Sequence, residues 1–400
     1  MLGAIAQGTT RITNLAPGAD VAATIGCFRK LGVAIEAGTP DLIVVNGQGW
    51  PGLRPPTGVL DAANSGTTLR LMAGLLAGRP LAVTMTGDAS LRSRPMTRVI
   101  EPLAAMGATI GSEQGKAPLS IVGGSLTGIE WHPSVASAQI KSALMLAALS
   151  AHGRTVVHEI QATRDHSELA FPAFGLEVSV SGLSVTVPGH QQATAPREGV
   201  LEVPGDASSA AVWAAAAAAI PGSSVHLTGV GLNPRRLGFV SALRALGAEI
   251  TIEETHRAGG EPVGRLQVAH GHHGHAVLGA TDVPDLIDEL PVLAARAALG
   301  GSLEVSGASE LRVKESDRIG KLVAGFRSLG VDADERPDGF AIRGGRRPTG
   351  GDVDAAHDHR LVMAFTIVAL GATGPTHISG ADAVAVSYPA FVEDLGRLVS

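Results

Sequence analysis

The chain has 400 residues, 45% of them hydrophobic and only 17% charged, which argues for large buried cores and against disorder. Its net charge is −6, so no global field recruits nucleic acid, and an anionic ligand has to be held by a local cluster of Arg and Lys. The longest apolar block, residues 210–220, falls short of the roughly 20 residues a membrane helix needs. The single cysteine, Cys27, permits no intrachain disulfide, which fits a reducing cytoplasm.

The first residues, MLGAIAQ, read as the last turn of a helix stopped by Gly8, and TTRITNL after it reads as a strand. An apolar residue followed by Gly and a short strand then recurs at Gly32, Gly107, Gly175, Gly247, Gly330 and Gly396. The spacing predicts six copies of a unit of about seventy residues, each with helices that end at a left-handed Gly. The helix before Gly32 carries Val21, Ile25, Phe28 and Leu31 on one face, and the helix before Gly247 carries Leu237, Val240, Leu243 and Leu246. Cys27 falls beside the first of these apolar faces and reads as a buried, inert thiol. The first and fourth copies match best. Upstream of the fourth stand a strand at Leu201–Val203, a Pro-Gly turn, and a long helix capped by Asp206 or Ser208. By this internal symmetry the same elements are expected to precede Met1.

Several stretches carry polar groups at helix starts. Asn64, Ser65, Gly66 and Thr67 open an apolar helix with Arg70 one turn in, as an ordinary N-cap or as an anion site. Arg92, Arg94 and Arg98 cluster around a stiffening Pro95, either solvated or positioned. Ser137, Ala138 and Gln139 begin a strongly apolar helix, with Ser137 as a cap and the Gln139 amide placed to read a ligand. Arg164, Asp165 and His166 follow a strand, as a surface ion pair or as part of a site. Asp285, Asp288 and Glu289 precede another helix; acids there suit the helix dipole, and one beside a bound hydroxyl is able to act as a general base. Arg312, Lys314 and Arg318 alternate with Glu315 and Asp317 at a helix start, which reads as a solvated face or an anion site. Asp358, His359 and Arg360 open a further apolar helix, without the spacing of a zinc helix. The run HGHHGH at 270–275 reads as a polar hairpin loop. No P-loop, dinucleotide fingerprint or Cys-x-x-Cys pair is present, so ATP, NAD and structural zinc have no support.

Taken together, NSGTTLR, SRPM, SAQIKSA, TRDHSE, PDLIDELPVLA, LRVKESDRI and DHRLVMAF resemble the EPSP synthase family, the enolpyruvyl transferases of the shikimate pathway, in order and spacing over nearly the whole chain. The resemblance implies a two-domain α/β fold of six βαβαββ repeats, three in residues 1–200 and three in 201–400, with the active site in the interdomain cleft. It implies that the 5-hydroxyl of shikimate 3-phosphate attacks phosphoenolpyruvate, and that a tetrahedral intermediate then loses phosphate. No metal or organic cofactor takes part, and a cytoplasmic monomer that binds neither membrane nor nucleic acid is expected. Carried over residue by residue, Ser137, Ala138, Gln139, Arg164, Asp288 and Lys314 correspond to shikimate 3-phosphate contacts. Gly66, Arg94, Gln139, Arg318 and Arg360 correspond to the phosphoenolpyruvate site. Asp288 corresponds to the base at the attacking hydroxyl, Glu315 to a second proton-transfer carboxylate, and Lys314 to a catalytic cation.

The resemblance also implies sensitivity to glyphosate, because Gly66 leaves room where Ala confers tolerance in some relatives. There are two departures. Val386 stands where many relatives carry a Lys. The family's opening strand, Pro-Gly-(Asp)-Lys-Ser and following Arg have no counterpart in the sequence. Losing that Lys and Arg corresponds to about 3–6 kcal/mol, or roughly 10²–10⁴-fold. Two other readings are a UDP-N-acetylglucosamine enolpyruvyl transferase and an anion-binding homologue without turnover. The first usually carries a reactive Cys on a mobile loop, and Cys27 is predicted to lie in a helix.

Overall fold

The computed structural model describes residues 1–38, 42–197 and 199–399. It divides into two compact units, Met1–Val203 with Ala258–Gly260, and Pro204–Arg257 with Glu261–Ser400. Both mix helices with small sheets, and a repeated local topology underlies them.

In the second repeat, Leu60–Asp61 lies parallel to Ala82–Thr86, which runs antiparallel to Lys116–Val122, whose hairpin partner is Thr109–Glu113. The parallel pair is joined through the helix Gly66–Ala77, because parallel neighbours need a crossover. The same order recurs with Glu130–Trp131, Arg154–His158, Ser184–Pro188 and Ser179–Ser181, and again with His275–Leu278, Gly301–Val305, Gly339–Gly344 and Asp332–Arg336. Gly32, Gly107, Gly175, Gly247 and Gly330 all take positive φ just after a helix, where a side chain is strained.

Three expectations about the repeats change. The helix Leu2–Ile5 ends before Gly8, because Ala6 is already extended and its carbonyl accepts from Gly49 N, so Gly8 falls inside the strand Gln7–Thr13. Gly396 does not stop a helix: it lies within Phe391–Leu398, and no hairpin follows it among the described residues. The strand before the fourth repeat, observed at Val200–Glu202, does not join that repeat's sheet. It pairs in parallel with Gln7–Thr13 and completes the first repeat's sheet with Leu42–Gln48 and Ala34–Ala37. The fourth repeat's sheet is three-stranded, of Ser224–Gly231, Glu261–Ala269 and Glu249–Ala258, and the preceding segment meets it at a Gly205–Val230 bridge.

Each unit wraps its sheets around buried helices. In the first, Gly66–Ala77 packs on Ala138–Ala148 so closely that a Cβ on Gly74 would stand 2.1 Å from the Ala143 carbonyl oxygen. In the second, Ala207–Ala219, Leu290–Ala298 and His359–Leu370 form the centre. Arg296 is fully buried there and donates to the carbonyls of Leu246 (2.8 Å), His272 (2.9 Å) and Gly300. This ties down the His-rich run, which proves to be a connection between strands of two different sheets and not a hairpin loop.

Cys27 is 1% exposed, on the helix Ala19–Lys30, with its thiol 3.4 Å from the Asp61 carbonyl. Burial pushes its pKa up to about 11, with Asp61 adding to the rise and Lys30 opposing it. A thiol reagent is expected to leave the native protein unlabelled at neutral pH and to titrate one thiol after denaturation. Prompt labelling of the native protein would show that this helix opens.

Candidate active site

The polar groups of interest sit at helix N-termini, where unpaired N–H groups and the helix dipole favour anions. In the first unit, Ser65 caps Gly66–Ala77 by accepting from Thr68 N at 3.2 Å, and Ser137 caps Ala138–Ala148 by accepting from Ile140 N at 3.5 Å. The two helix starts are joined by side chains. Gln139 donates from Nε2 to Thr67 Oγ1 at 2.8 Å and accepts from Arg70 Nη1 at 2.6 Å. Arg94 is 8% exposed and donates to Asn64 Oδ1 at 2.6 Å, while Asn64 donates to Asp88 at 2.7 Å. Gly66 lies between the two arginines, and a Cβ built on it would stand 2.9 Å from Arg70 Nη1 and 3.5 Å from Arg94 Nη1. Gly66, Arg94 and Gln139 are therefore neighbours. Arg164 lies on the segment between the strand Arg154–His158 and the helix His166–Ala173.

In the second unit the centre is Arg318, the first residue of Arg318–Ser328, with a side chain 2% exposed. Its Nε donates to Asp358 Oδ2 at 2.8 Å, its Nη2 pairs with Glu315, and its Nη1 stands 3.5 Å from Asp288 Oδ1. Burial works against the charge, but the carboxylates of Asp358, Glu315 and Asp288 outweigh it and hold the guanidinium above its usual pKa. Lys314 Nζ lies 3.6 Å from the same Asp288 oxygen.

Asp358 is fully buried and does three jobs. It receives Arg318, accepts from Ser316 Oγ at 2.9 Å, and caps His359–Leu370 by accepting from Arg360 N at 3.0 Å. Arg360 then reaches back to the Asp288 carbonyl at 3.2 Å. Behind it Glu289, 1% exposed, accepts from Ser208 Oγ and lies 3.3 Å from Arg236 and 3.8 Å from Arg360. Burial, followed by the charges of Arg360 and Arg318, lowers His359 to about 4, so the imidazole is neutral at physiological pH.

Asp288, Lys314, Glu315, Arg318 and Arg360 thus form one cluster, while Ser137, Ala138, Gln139, Gly66 and Arg94 form another. Two arginines of the charged runs are used elsewhere. Arg92 stays exposed, and Arg312 is occupied by Asp317, Glu335 and the carbonyls of Arg336 and Pro337. Of the residues that complete the clusters, the sequence marks Asn64, Arg70, Glu289 and Asp358 as polar groups at helix starts and Ser208 as a helix cap, and gives no signal for Arg236. Arg70 and Asp358 are each a charged residue at the start of an otherwise apolar helix. Arg236 and Ser208 meet Glu289 only through tertiary packing.

A sequence model of the family described as EPSP synthase (3-phosphoshikimate 1-carboxyvinyltransferase) matches residues 1–395. The chain belongs to the EPSP synthase family. It is 47% identical over 401 residues to a 3-phosphoshikimate 1-carboxyvinyltransferase of Shouchella clausii, covering 100% of this chain and 92% of that one. It is 49% identical to the enzyme of the same name from Halorhodospira halophila, over 100% of this chain and 90% of the relative. The solved EPSP synthase of Acinetobacter baumannii superposes with a TM-score of 0.87 at 40% identity, covering 100% of this chain and 92% of that structure. The mixed α/β architecture is therefore the EPSP synthase fold.

In this EPSP synthase family member, Gly66→Ala is expected to fold normally, because the added methyl meets side-chain ends and no backbone: Arg70 Nη1 has to shift, and Arg94 Nη1 stays at van der Waals distance. Moving Arg70 off Gln139 disturbs a hydrogen bond to a charged group, and KM for phosphoenolpyruvate is expected to rise about tenfold in steady-state assays. An unchanged KM would show that Arg70 plays no part in binding that substrate.

Proposed function

We propose that these two clusters carry out 3-phosphoshikimate 1-carboxyvinyl transfer, with each residue in the role its surroundings favour. The reading is supported above all by the second-unit cluster, where Lys314, Arg318 and Arg360 are drawn around Asp288 and Glu315. Transfer of an enolpyruvyl group needs this mixture. Phosphoenolpyruvate and shikimate 3-phosphate are both polyanions and require fixed cations, while the reaction moves protons and requires carboxylates.

Asp288, with Lys314 and Arg318 against one carboxylate oxygen, takes the proton of the attacking 5-hydroxyl. The alkoxide oxygen then bonds to C2 of phosphoenolpyruvate while the vinyl methylene accepts a proton, a step suited to Glu315. The methyl proton then returns to the Glu315 carboxylate as the C2–O bond to phosphate breaks, which regenerates the enol ether, and the proton held by Asp288 leaves with the phosphate. Lys314, together with Arg318 and Arg360, offsets charge that builds on the reacting oxygens. Arg94, Gln139 and the N–H groups from Gly66 onward hold phosphoenolpyruvate, and Ser137, Ala138, Gln139 and Arg164 hold the shikimate phosphate. Glyphosate, as an analogue of the phosphoenolpyruvate cation, competes at Arg94, Arg318 and Arg360.

The reading includes two domains of three repeats each, divided near residue 200, and a cytoplasmic monomer without a nucleic-acid partner. Among the described residues no helix is long and apolar enough to cross a membrane.

Phosphate release with phosphoenolpyruvate is expected with shikimate 3-phosphate and not with UDP-N-acetylglucosamine as acceptor. Turnover with only the UDP-sugar would overturn the assignment. Asp288→Asn is expected to lower kcat by about 10²–10⁴-fold, the usual contribution of a general base, with shikimate 3-phosphate affinity changed far less. Retained kcat would remove Asp288 as the base.

A further inference from the structure

In the first unit a charged triad is buried where the mechanism above gives it no part. Lys141 lies one turn into Ala138–Ala148, amid apolar residues, with a side chain 2% exposed. Its ammonium stands 2.6 Å from Glu168 Oε1 and 3.1 Å from Glu159 Oε2, and these carboxylates are 7% and 9% exposed. The other oxygen of Glu159 accepts from Thr163 N at 3.2 Å and from Thr163 Oγ1. Thr163 is buried and directly precedes Arg164. One residue after Lys141, Ser142 Oγ lies 2.7 Å from Ser167 Oγ, a second strut between the same two segments.

Burying an ammonium with two carboxylates is costly, and apolar residues of similar volume usually serve stability as well or better. What the triad supplies is direction. The chain of contacts runs from a rigid helix through Lys141 to Glu159, and from Glu159 to the backbone N–H beside Arg164. Lys141 also sits two positions beyond Gln139, so the helix start Ser137–Gln139 and the Arg164 segment are referred to one fixed point.

We infer that Lys141 is a positioning residue for substrate binding: through Glu159 and Thr163 it holds Arg164 in register with the Ser137–Gln139 helix start, so that both meet one phosphate group. This rests on the reading that Arg164 and that helix start bind shikimate 3-phosphate. Lys141 itself touches no substrate in this account. A cation held in register with a helix N-terminus adds to the anion binding of its N–H groups, and the triad is the connection that would hold it there.

The test measures shikimate 3-phosphate binding by calorimetry, together with steady-state kinetics, for Lys141→Met, Lys141→Arg, Thr163→Val, Arg164→Ala and the double variant Lys141→Met/Arg164→Ala. Lys141→Met is expected to weaken shikimate 3-phosphate about tenfold or more, with kcat at saturation and KM for phosphoenolpyruvate within about threefold of the parent. Lys141→Arg is expected to restore most of the affinity. The double variant is expected to bind no more weakly than Arg164→Ala alone, because Lys141 acts through Arg164. If circular dichroism shows that Lys141→Met does not fold, Thr163→Val carries the test, with an expected loss of about 3–10-fold that vanishes in the Arg164→Ala background. Unchanged affinity in folded Lys141→Met or in Thr163→Val, or losses that multiply with Arg164→Ala, would overturn the inference. Unchanged affinity in Arg164→Ala alone would overturn the assignment of Arg164, and the inference with it.

Discussion

The second unit is organised by one electrostatic constraint: the guanidinium of Arg318 is buried and must be matched by carboxylates. Asp358 supplies the match from full burial, and Glu315 and Asp288 complete it from the more accessible side. An arginine in this setting cannot shed its proton, so its charge is a permanent feature of the fold. Removing any partner leaves charge uncompensated in a medium where that is expensive. The same arrangement fixes the helix starts. Asp358 cannot hold Arg318 and cap His359–Leu370 unless those two elements meet at their first turns, and Arg360 comes into place as a consequence.

The first unit solves a related problem by neutral means. Gln139 and Thr67 join its helix starts, and Gln139 and Asn64 accept from Arg70 and Arg94. The first unit thus links its arginines to amide oxygens, and the second interleaves its cations with carboxylates.

Much of this was legible in the sequence, for physical reasons. Gly at a helix end is needed for its left-handed backbone, so Gly32, Gly107, Gly175, Gly247 and Gly330 mark repeats that the structure contains. The same cue misled at Gly396 and Gly8, where a glycine sits inside a helix or a strand. The helix-opening motifs were legible because polar residues before an apolar run have few other uses. Long-range choices were hidden. Val200–Glu202 looks like the first strand of the fourth repeat, yet it joins the first repeat's sheet, and its own sequence says nothing about its partner. Lys141 drew no reading from the sequence: its partners lie 18 and 27 residues away, and only packing shows that they converge. Arg312 and Arg318 stand in one charged run with similar neighbours. Burial alone makes one a structural clamp to Glu335 and the other the centre of the cluster.

The central claim is that Asp358 sets Arg318 and Arg360 together, and it is tested most directly by a double-mutant cycle on kcat/KM for phosphoenolpyruvate. Asp358→Asn and Arg318→Lys are each expected to lower it about tenfold or more, and the combined variant is expected to lose no more than the worse single variant, because the two changes break one interaction. Losses that multiply in the combined variant would show that the residues act independently and would contradict the account.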